Sequence, residues 1–432
     1  MTVTERLKSY RDAVIVWRTG QLSKHNALVV TFVRGIFAAI SGTTLAYLLG
    51  AITTVLIARE LGVNGYGEYA TIMASLGLLS NLLGLGLDTW LVGEGARLPH
   101  QLNALAWQVL FLKAAGSFAM MSVLTWGWLS GSANAAVFII GSLGVIADGF
   151  SRTGFAMLRA RAQNGRVAVL EVAAPALLLA GLFVLKAIGF TVVALVTVQL
   201  VCNAIVTAAT FANAFDEIKL PTPAPWRVLR EGWIFVASDV VANVYSLVGI
   251  TAVGWFAGTM AAGFYKPAHT AISLTYVIPN LIFWVGLPLL NRATTSAVYR
   301  RVAGAMLASA VLYGLCVLMG IWWIGEPLLR LIYGATFLPS LPYVQVMSLI
   351  PLTKSISFVC AAVMLSNKRQ RLRLGLQGIV ALFSVAGAFV VIPQAGATGA
   401  AWLQVAIEAA LLALYVAGAI WSLHHSRAQQ RP

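Results

Sequence analysis

Six polar residues, Lys266, His269, Thr270, Ser273, Tyr276 and Asn280, interrupt an apolar stretch at intervals that keep them within about a third of a helix circumference. Such a stripe either lines a polar cavity or forms a hydrogen-bonding face against another helix. Its lysine and histidine suit an anionic group held in a cavity. Other apolar stretches carry polar residues on one face too. They are Gln199, Asn203, Thr210 and Asn213, then Asp239, Asn243 and Ser246, and then Gln404, Glu408 and Tyr415. Lys354 follows Pro351 by one turn, which sets a cation beside an expected helix break. Arg34 and Lys113 complete the set of embedded cations.

A charge at the middle of a bilayer costs at least ~2.5–3.5 kcal/mol, so these residues are expected to face a cavity or a partner. Lys and Arg in a low-dielectric cavity would pair strongly with a phosphate or diphosphate. Asp239 and Glu408 are candidates for taking a proton or sodium ion, or for neutralising the lysines when the site is empty. Arg34, Lys113 and Lys266 admit a second reading, as chains that snorkel to an interface, and Asp88 reads as a cap or a partner of Arg97.

Covalent chemistry finds no support. There is no GxxxxGK[ST] loop, no HExxH, no GxSxG and no cysteine pair at metal-ligand spacing. Cys202, Cys316 and Cys360 are far apart in apolar stretches and read as small hydrophobes. His424 and His425 read as solvated residues of a basic tail. The chain is therefore expected to be no enzyme, with no catalytic residue, no cofactor and no metal.

The elements that must position these residues are membrane spans. The chain of 432 residues is 59% hydrophobic and 10% charged, with mean hydropathy +0.85, where soluble domains carry about 25% charge. Apolar segments able to cross ~30 Å of hydrocarbon recur throughout. They fall at roughly 36–58, 69–91, 104–127, 134–155, 167–187, 190–213, 233–255, 265–289, 303–325, 342–365, 373–392 and 397–421. The chain is expected to be an all-α integral membrane protein of about twelve spans. The outer loops are short, which disfavours a polymerase or glycosyltransferase with a large external catalytic loop.

Most of the 29 lysines and arginines fall on alternate turns, at Arg97, at Arg152, Arg159, Arg161 and Arg166, at Lys219, Arg227 and Arg230, at Arg292, Arg300 and Arg301, and at Lys368, Arg369, Arg371 and Arg373. Both ends of the chain are basic as well. By the positive-inside rule these turns and both termini are cytoplasmic. The net charge of +15 is thus an orientation signal, and no nucleic-acid partner is expected. The first thirty residues lack the order of a signal peptide, and Leu7, Tyr10, Val14 and Trp17 have the spacing of an interfacial helix.

A twofold repeat is legible. Leu61-Gly62 with Gly67 and Tyr69 returns as Ala257-Gly258 with Gly263 and Tyr265. Met157-Leu158 before a basic turn returns as Met364-Leu365 before another, and Gln199 with Asn203 returns as Gln404 with Glu408. The organisation expected is an N-terminal arm 1–33, an N-lobe 34–213, a linker 214–232 stiffened by Pro221, Pro223 and Pro225, a C-lobe 233–421 and a tail 422–432.

The stretch from Thr53 to Arg97, with Ala58-Arg59-x-Leu61-Gly62, Gly67-x-Tyr69 and Gly86-Leu87 ahead of Arg97, resembles the opening of bacterial polysaccharide and O-antigen flippases. These belong to the multidrug/oligosaccharidyl-lipid/polysaccharide exporter superfamily, relatives of the MATE transporters and lipid II flippases. Gly263-Phe264-Tyr265, Leu331-x-Tyr333-Gly334-x-x-Phe337 and Gly396-Ala397-x-Gly399-Ala400-Ala401 followed by Glu408 extend the resemblance to residues 30–421. Where family members often carry a charged pair late in span seven, this chain has Tyr245-Ser246-Leu247-Val248-Gly249. The resemblance implies two six-helix lobes in a MATE-like V around a central cavity. It implies an undecaprenyl-diphosphate-linked oligosaccharide as cargo, flipped across the inner membrane, with a polysaccharide polymerase and a chain-length regulator acting downstream. Arg34, Lys113, Lys266, His269, Ser273, Asn280 and Lys354 are the substrate-binding candidates. An ion-coupled exporter of small molecules is the alternative.

Overall fold

In hydrocarbon every backbone polar group must be satisfied within the protein, so an apolar chain of this length folds as helices. The computed structural model describes residues 21–84, 86–129, 135–215, 225–292 and 295–428, and all the regular structure in them is helical. Thirteen α-helices follow one another: α1 Gln21–Gly84, α2 Leu87–Arg97, α3 Leu102–Leu129, α4 Ala135–Ala160, α5 Asn164–Ile188, α6 Val192–Ala214, α7 Pro225–Phe256, α8 Thr259–Leu274, α9 Val277–Arg292, α10 Ser296–Tyr333, α11 Leu341–Met347, α12 Ile350–Ser366 and α13 Gln370–Ala428.

Among the described residues eight helical stretches are long and apolar enough to cross a bilayer, α8 and α9 together forming one of them, and a ninth crossing is the pair Ala335–Met347 and Ile350–Ser366, bent by 41°. Straight, α1 would be ~96 Å long, three bilayer cores. Its helical path is interrupted at Gly62 (φ 65°, ψ −176°), and that of α13 at Gly396 (φ 58°, ψ −144°). Each therefore supplies two crossings. With α7, whose Asn243–Phe256 portion is apolar, the total is the expected twelve. The interfacial helix expected near Trp17 lies outside the described residues, as do Pro221 and Pro223. α7 begins at Pro225, so the last part of the stretch read as linker is helix, with proline at the position where its missing N–H costs nothing.

The repeat is visible in the backbone. Gly258 adopts φ 88°, ψ 169°, close to Gly62, and the same interval carries one onto the other as carries Gly67 onto Gly263. Those last two glycines pack reciprocally. A Cβ on Gly67 would lie 1.8 Å from the Thr259 carbonyl oxygen, and one on Gly263 would lie 2.1 Å from that of Val63. Val63 and Thr259 are themselves equivalent, so the contact is a self-complementary crossing on the pseudo-twofold axis. Helix pairs inside a membrane gain little from apolar burial and associate by close packing, which explains glycines here.

The basic turns repeat as well. After α4, Gln163 N–H donates to Leu158 O with Ala162 at φ 58°; after α12, Arg369 N–H donates to Met364 O with Lys368 at φ 60°. Within each half the corresponding helices pair, α1 with α5 and α4 with α6 in the first, α7 and α12 with α13 in the second. The two lobes meet at both ends. At the end away from the basic turns, Ile57, Ala58 and Tyr66 share an apolar cluster with Leu329, Tyr333 and Phe337. Arg59 there donates to the terminal carbonyls of α10, through Nε to Ile332 O at 2.8 Å and through Nη2 to Leu331 O. At the basic end Leu87 and Trp90 pack with Val228 and Phe235.

The polar stripe of the eighth span is not on one continuous helix. Pro279 cannot donate to the carbonyl four residues back, and its ring collides with it. That carbonyl is Thr275 O, where α8 has just ended, and Tyr313 Oη donates to it at 2.7 Å from α10. The break thus falls one turn before the proline, between Ser273 and Asn280.

Candidate functional site

Three local breaks converge in the C-lobe. The α11–α12 bend sets Lys354 one turn into α12, the Thr275 break turns Tyr276 inward, and the second half of α13 carries Glu408. Lys354 Nζ donates to Glu408 Oε1 at 2.6 Å. The same ammonium lies over two rings, 5.1 Å from the centroid of Tyr245 and 5.2 Å from that of Tyr276. Glu408 is 1% exposed, and its Oε2 is buried with no hydrogen-bond partner among the described residues.

Burying two charges costs several kcal/mol per ion, which one short hydrogen bond and two aromatic faces offset only in part. His269 faces the same region from α8, with Lys266 one turn before it. His269 lies within electrostatic reach of both Lys266 and Lys354, and Tyr265 stands beside it at 6.2 Å. Among the described residues no carboxylate pairs with Lys266.

The sequence candidates therefore divide. Lys354 and Glu408 touch, and His269 lies between that pair and Lys266, which is one turn away from it on α8. Ser273 is on the same helix, but its hydroxyl donates to Thr270 O at 2.8 Å. Asn280 is exposed, beyond the break. The side chains of Arg34 and Asp239 lie outside the described residues.

Lys113 belongs to a different assembly. Its ammonium donates to Asp88 Oδ1 and Oδ2 at 2.8 and 2.7 Å, to Gly149 O at 2.8 Å and to Thr153 Oγ1 at 2.9 Å. Every donor is taken, and the cluster staples α2, α3 and α4 together. Asp88 is held by this lysine, while Arg97 pairs with Glu94. Tyr245 is the member of the C-lobe site that sequence reading missed, because an aromatic in an apolar helix looks like core.

The N-lobe holds a cavity of about 530 Å³ lined by Asp88, Asp148, Arg152, Arg159, Glu171 and Asn203 among others. The interval that carries the α4 turn onto the α12 turn carries Asp148 onto Lys354 and Glu171 onto Gln377. It brings Asn203 within one residue of Glu408. The repeat thus has an acid in one lobe where the other has a base. The N-lobe acids are internally satisfied, Asp148 by Arg152 at 2.9 Å and Glu171 by Arg159.

This architecture is that of MATE-type membrane transporters. Solved structures similar to the chain include a multidrug resistance MATE family transporter of the MOP superfamily in its inward-facing conformation. It is 14% identical, with TM-score 0.70 over 90% of this chain and 98% of that one. Another is the lipid II flippase MurJ in an inward closed conformation, 14% identical, with TM-score 0.74 over 88% and 87%. The outward-facing form of a MATE transporter superposes with TM-score 0.63 at 14% identity, over 93% and 96%. No curated protein sequence matches the chain. The family model described as polysaccharide biosynthesis protein matches residues 32–294, and the chain belongs to that family.

Proposed function

We propose that the protein is a flippase that moves a polyprenyl-diphosphate-linked oligosaccharide from the cytoplasmic to the periplasmic leaflet of a bacterial inner membrane, for O-antigen, capsule or exopolysaccharide synthesis. The observation that carries this reading is the buried Lys354–Glu408 pair under Tyr245 and Tyr276, with His269 within electrostatic reach of Lys354. A diphosphate offers several charged oxygens where Glu408 offers one hydrogen-bonded oxygen, so it would outcompete the carboxylate for the lysine. The paired aromatic faces suit a sugar ring beside the phosphates. The alternation of basic turns supports cytoplasmic termini, and an inside-negative potential of 100 mV would favour outward movement of each net negative charge by ~2.3 kcal/mol. Glu408 is the candidate for coupling, since it must take a proton or an ion once the lysine is withdrawn; Asp239 remains a second candidate by its sequence position.

The alternative, an ion-coupled exporter of small cations, draws on the acidic N-lobe cavity, whose carboxylates are each paired with a base. Proteoliposomes separate the two readings. The flippase reading expects a fluorescent polyprenyl-diphosphate sugar, loaded in one leaflet, to reach a membrane-impermeant quencher on the other side. It also expects no ion-driven movement of lipophilic cations. Cation movement without lipid movement would favour the exporter.

A further inference from the structure

A second cationic site lies outside the pair just described. At the basic end of the C-lobe, the α12–α13 turn, the start of α13, Phe235 of α7 and Trp421 near the end of α13 enclose a cavity of about 490 Å³. Lys368, Arg369, Gln370 and Arg371 line it, and no carboxylate does among the described residues. None of the described residues accepts a hydrogen bond from the Lys368, Arg369 or Arg371 side chains. The Arg369 guanidinium stacks on Trp421 at 4.8 Å. A guanidinium over an aromatic face does not spend its N–H donors on that contact, so they remain for phosphate oxygens. The first amides of α13 add their own positive end. In the pseudo-equivalent turn of the N-lobe, Arg159 is neutralised by Glu171, and Gln377 stands where that glutamate would fall.

The cations continue inward. Arg373, in the first turn of α13 and four residues after Arg369 of the preceding turn, is 3.4 Å from Tyr415 Oη and shares a small void with Gln377 and Lys354. The series Arg369, Arg373, Lys354 runs from the membrane surface to the buried pair.

We propose that the α12–α13 turn is a docking site for the phosphate-bearing headgroup of a membrane lipid, held by Lys368, Arg369 and Arg371 with the first part of its hydrocarbon chain against Phe235 and Trp421. Resting on the flippase reading, the site would capture the diphosphate of the transported lipid before Arg373 passes it toward Lys354. The other source of the same chemistry is the anionic phospholipid of the bilayer.

The test is equilibrium binding to the full chain in phosphatidylcholine nanodiscs, with undecaprenyl diphosphate and phosphatidylglycerol as separate probes. Arg369→Gln with Arg371→Gln removes two charge-assisted contacts and is expected to weaken undecaprenyl diphosphate binding ~tenfold or more. Arg369→Lys with Arg371→Lys keeps the charge but loses the planar fork, so it should retain part of the affinity that the Gln variant loses, and both variants should melt with the wild type. Loss confined to undecaprenyl diphosphate supports the entry route. Equal loss of both probes supports the phosphate site and overturns the route. Binding unchanged for both, or lost equally in the lysine variant, overturns the site. Because transport is not the readout, a wild type that moves no lipid-linked sugar would sink the flippase reading while leaving this site standing.

Discussion

The Lys354–Glu408 pair makes stability and transport separable. Replacing Lys354 with Met strands the Glu408 carboxylate at 1% exposure, and replacing Glu408 with Leu strands the ammonium between two rings. Breaking a buried pair from one side costs ~3–5 kcal/mol. Substituting both partners with apolar residues of similar volume removes the uncompensated charge, and such exchanges are neutral or stabilising by ~1–4 kcal/mol. The double variant should therefore unfold near or above the wild type, with a coupling of at least ~3 kcal/mol. Flipping should behave otherwise, falling in both Lys354→Met and the double variant because the cation is gone from each. The assay pairs thermal unfolding in nanodiscs, followed by tryptophan fluorescence, with leaflet exchange in proteoliposomes from the same preparations. A double variant as unstable as either single would refute the buried contact. One that is stable and transports at the wild-type rate would refute the role of Lys354.

Other consequences follow from the same geometry. Tyr313→Phe should lose ~1–3 kcal/mol by leaving the Thr275 carbonyl without a donor. In a Pro279→Ala background, where residue 279 regains its N–H, that loss should shrink; a full loss in both backgrounds would contradict the explanation of the break. Lys113→Met should destabilise by ~1–3 kcal/mol, since the partly buried Asp88 loses its ammonium and keeps only the Thr153 hydroxyl, while folded protein still flips substrate. A normal melt with abolished transport would instead move Lys113 into the substrate path. Gly67→Ala and Gly263→Ala should each cost about 1–3 kcal/mol or more by forcing the lobes apart at the pseudo-twofold crossing, visible as a lower melting temperature. Equal stability to wild type would mean that the crossing is not tight.

The spans and the repeat were legible because bilayer thickness and backbone satisfaction leave the sequence little freedom. Gly62 and Gly258 even announced themselves by their matching interval. Side-chain partners were harder to read. Periodicity puts Lys354 and Glu408 on polar faces, but only the relative rotation of α12 and the second half of α13 brings these two residues, 54 apart in sequence, to one bond. Lys113 looked equally suited to a cavity, yet its neighbours Asp88 and Thr153 arrive from two other helices and fill its coordination. The spacing on the eighth span fits one helix with Pro279 loosening its backbone, and spacing alone does not reveal that the break falls a turn earlier, at the carbonyl of Thr275. Tyr245 left no polar signal at all.

Anion recognition by the C-lobe cations can be tested most directly by changing the substrate while keeping the protein intact. Two polyprenyl-linked sugars, alike except that one is joined through a diphosphate and the other through a neutral ether, are loaded into wild-type proteoliposomes and their exchange between leaflets is timed. A carrier that holds its cargo at Lys354 moves the diphosphate lipid and leaves the neutral one at the protein-free rate. Equal protein-dependent rates for both would show that the buried cations do not select the cargo.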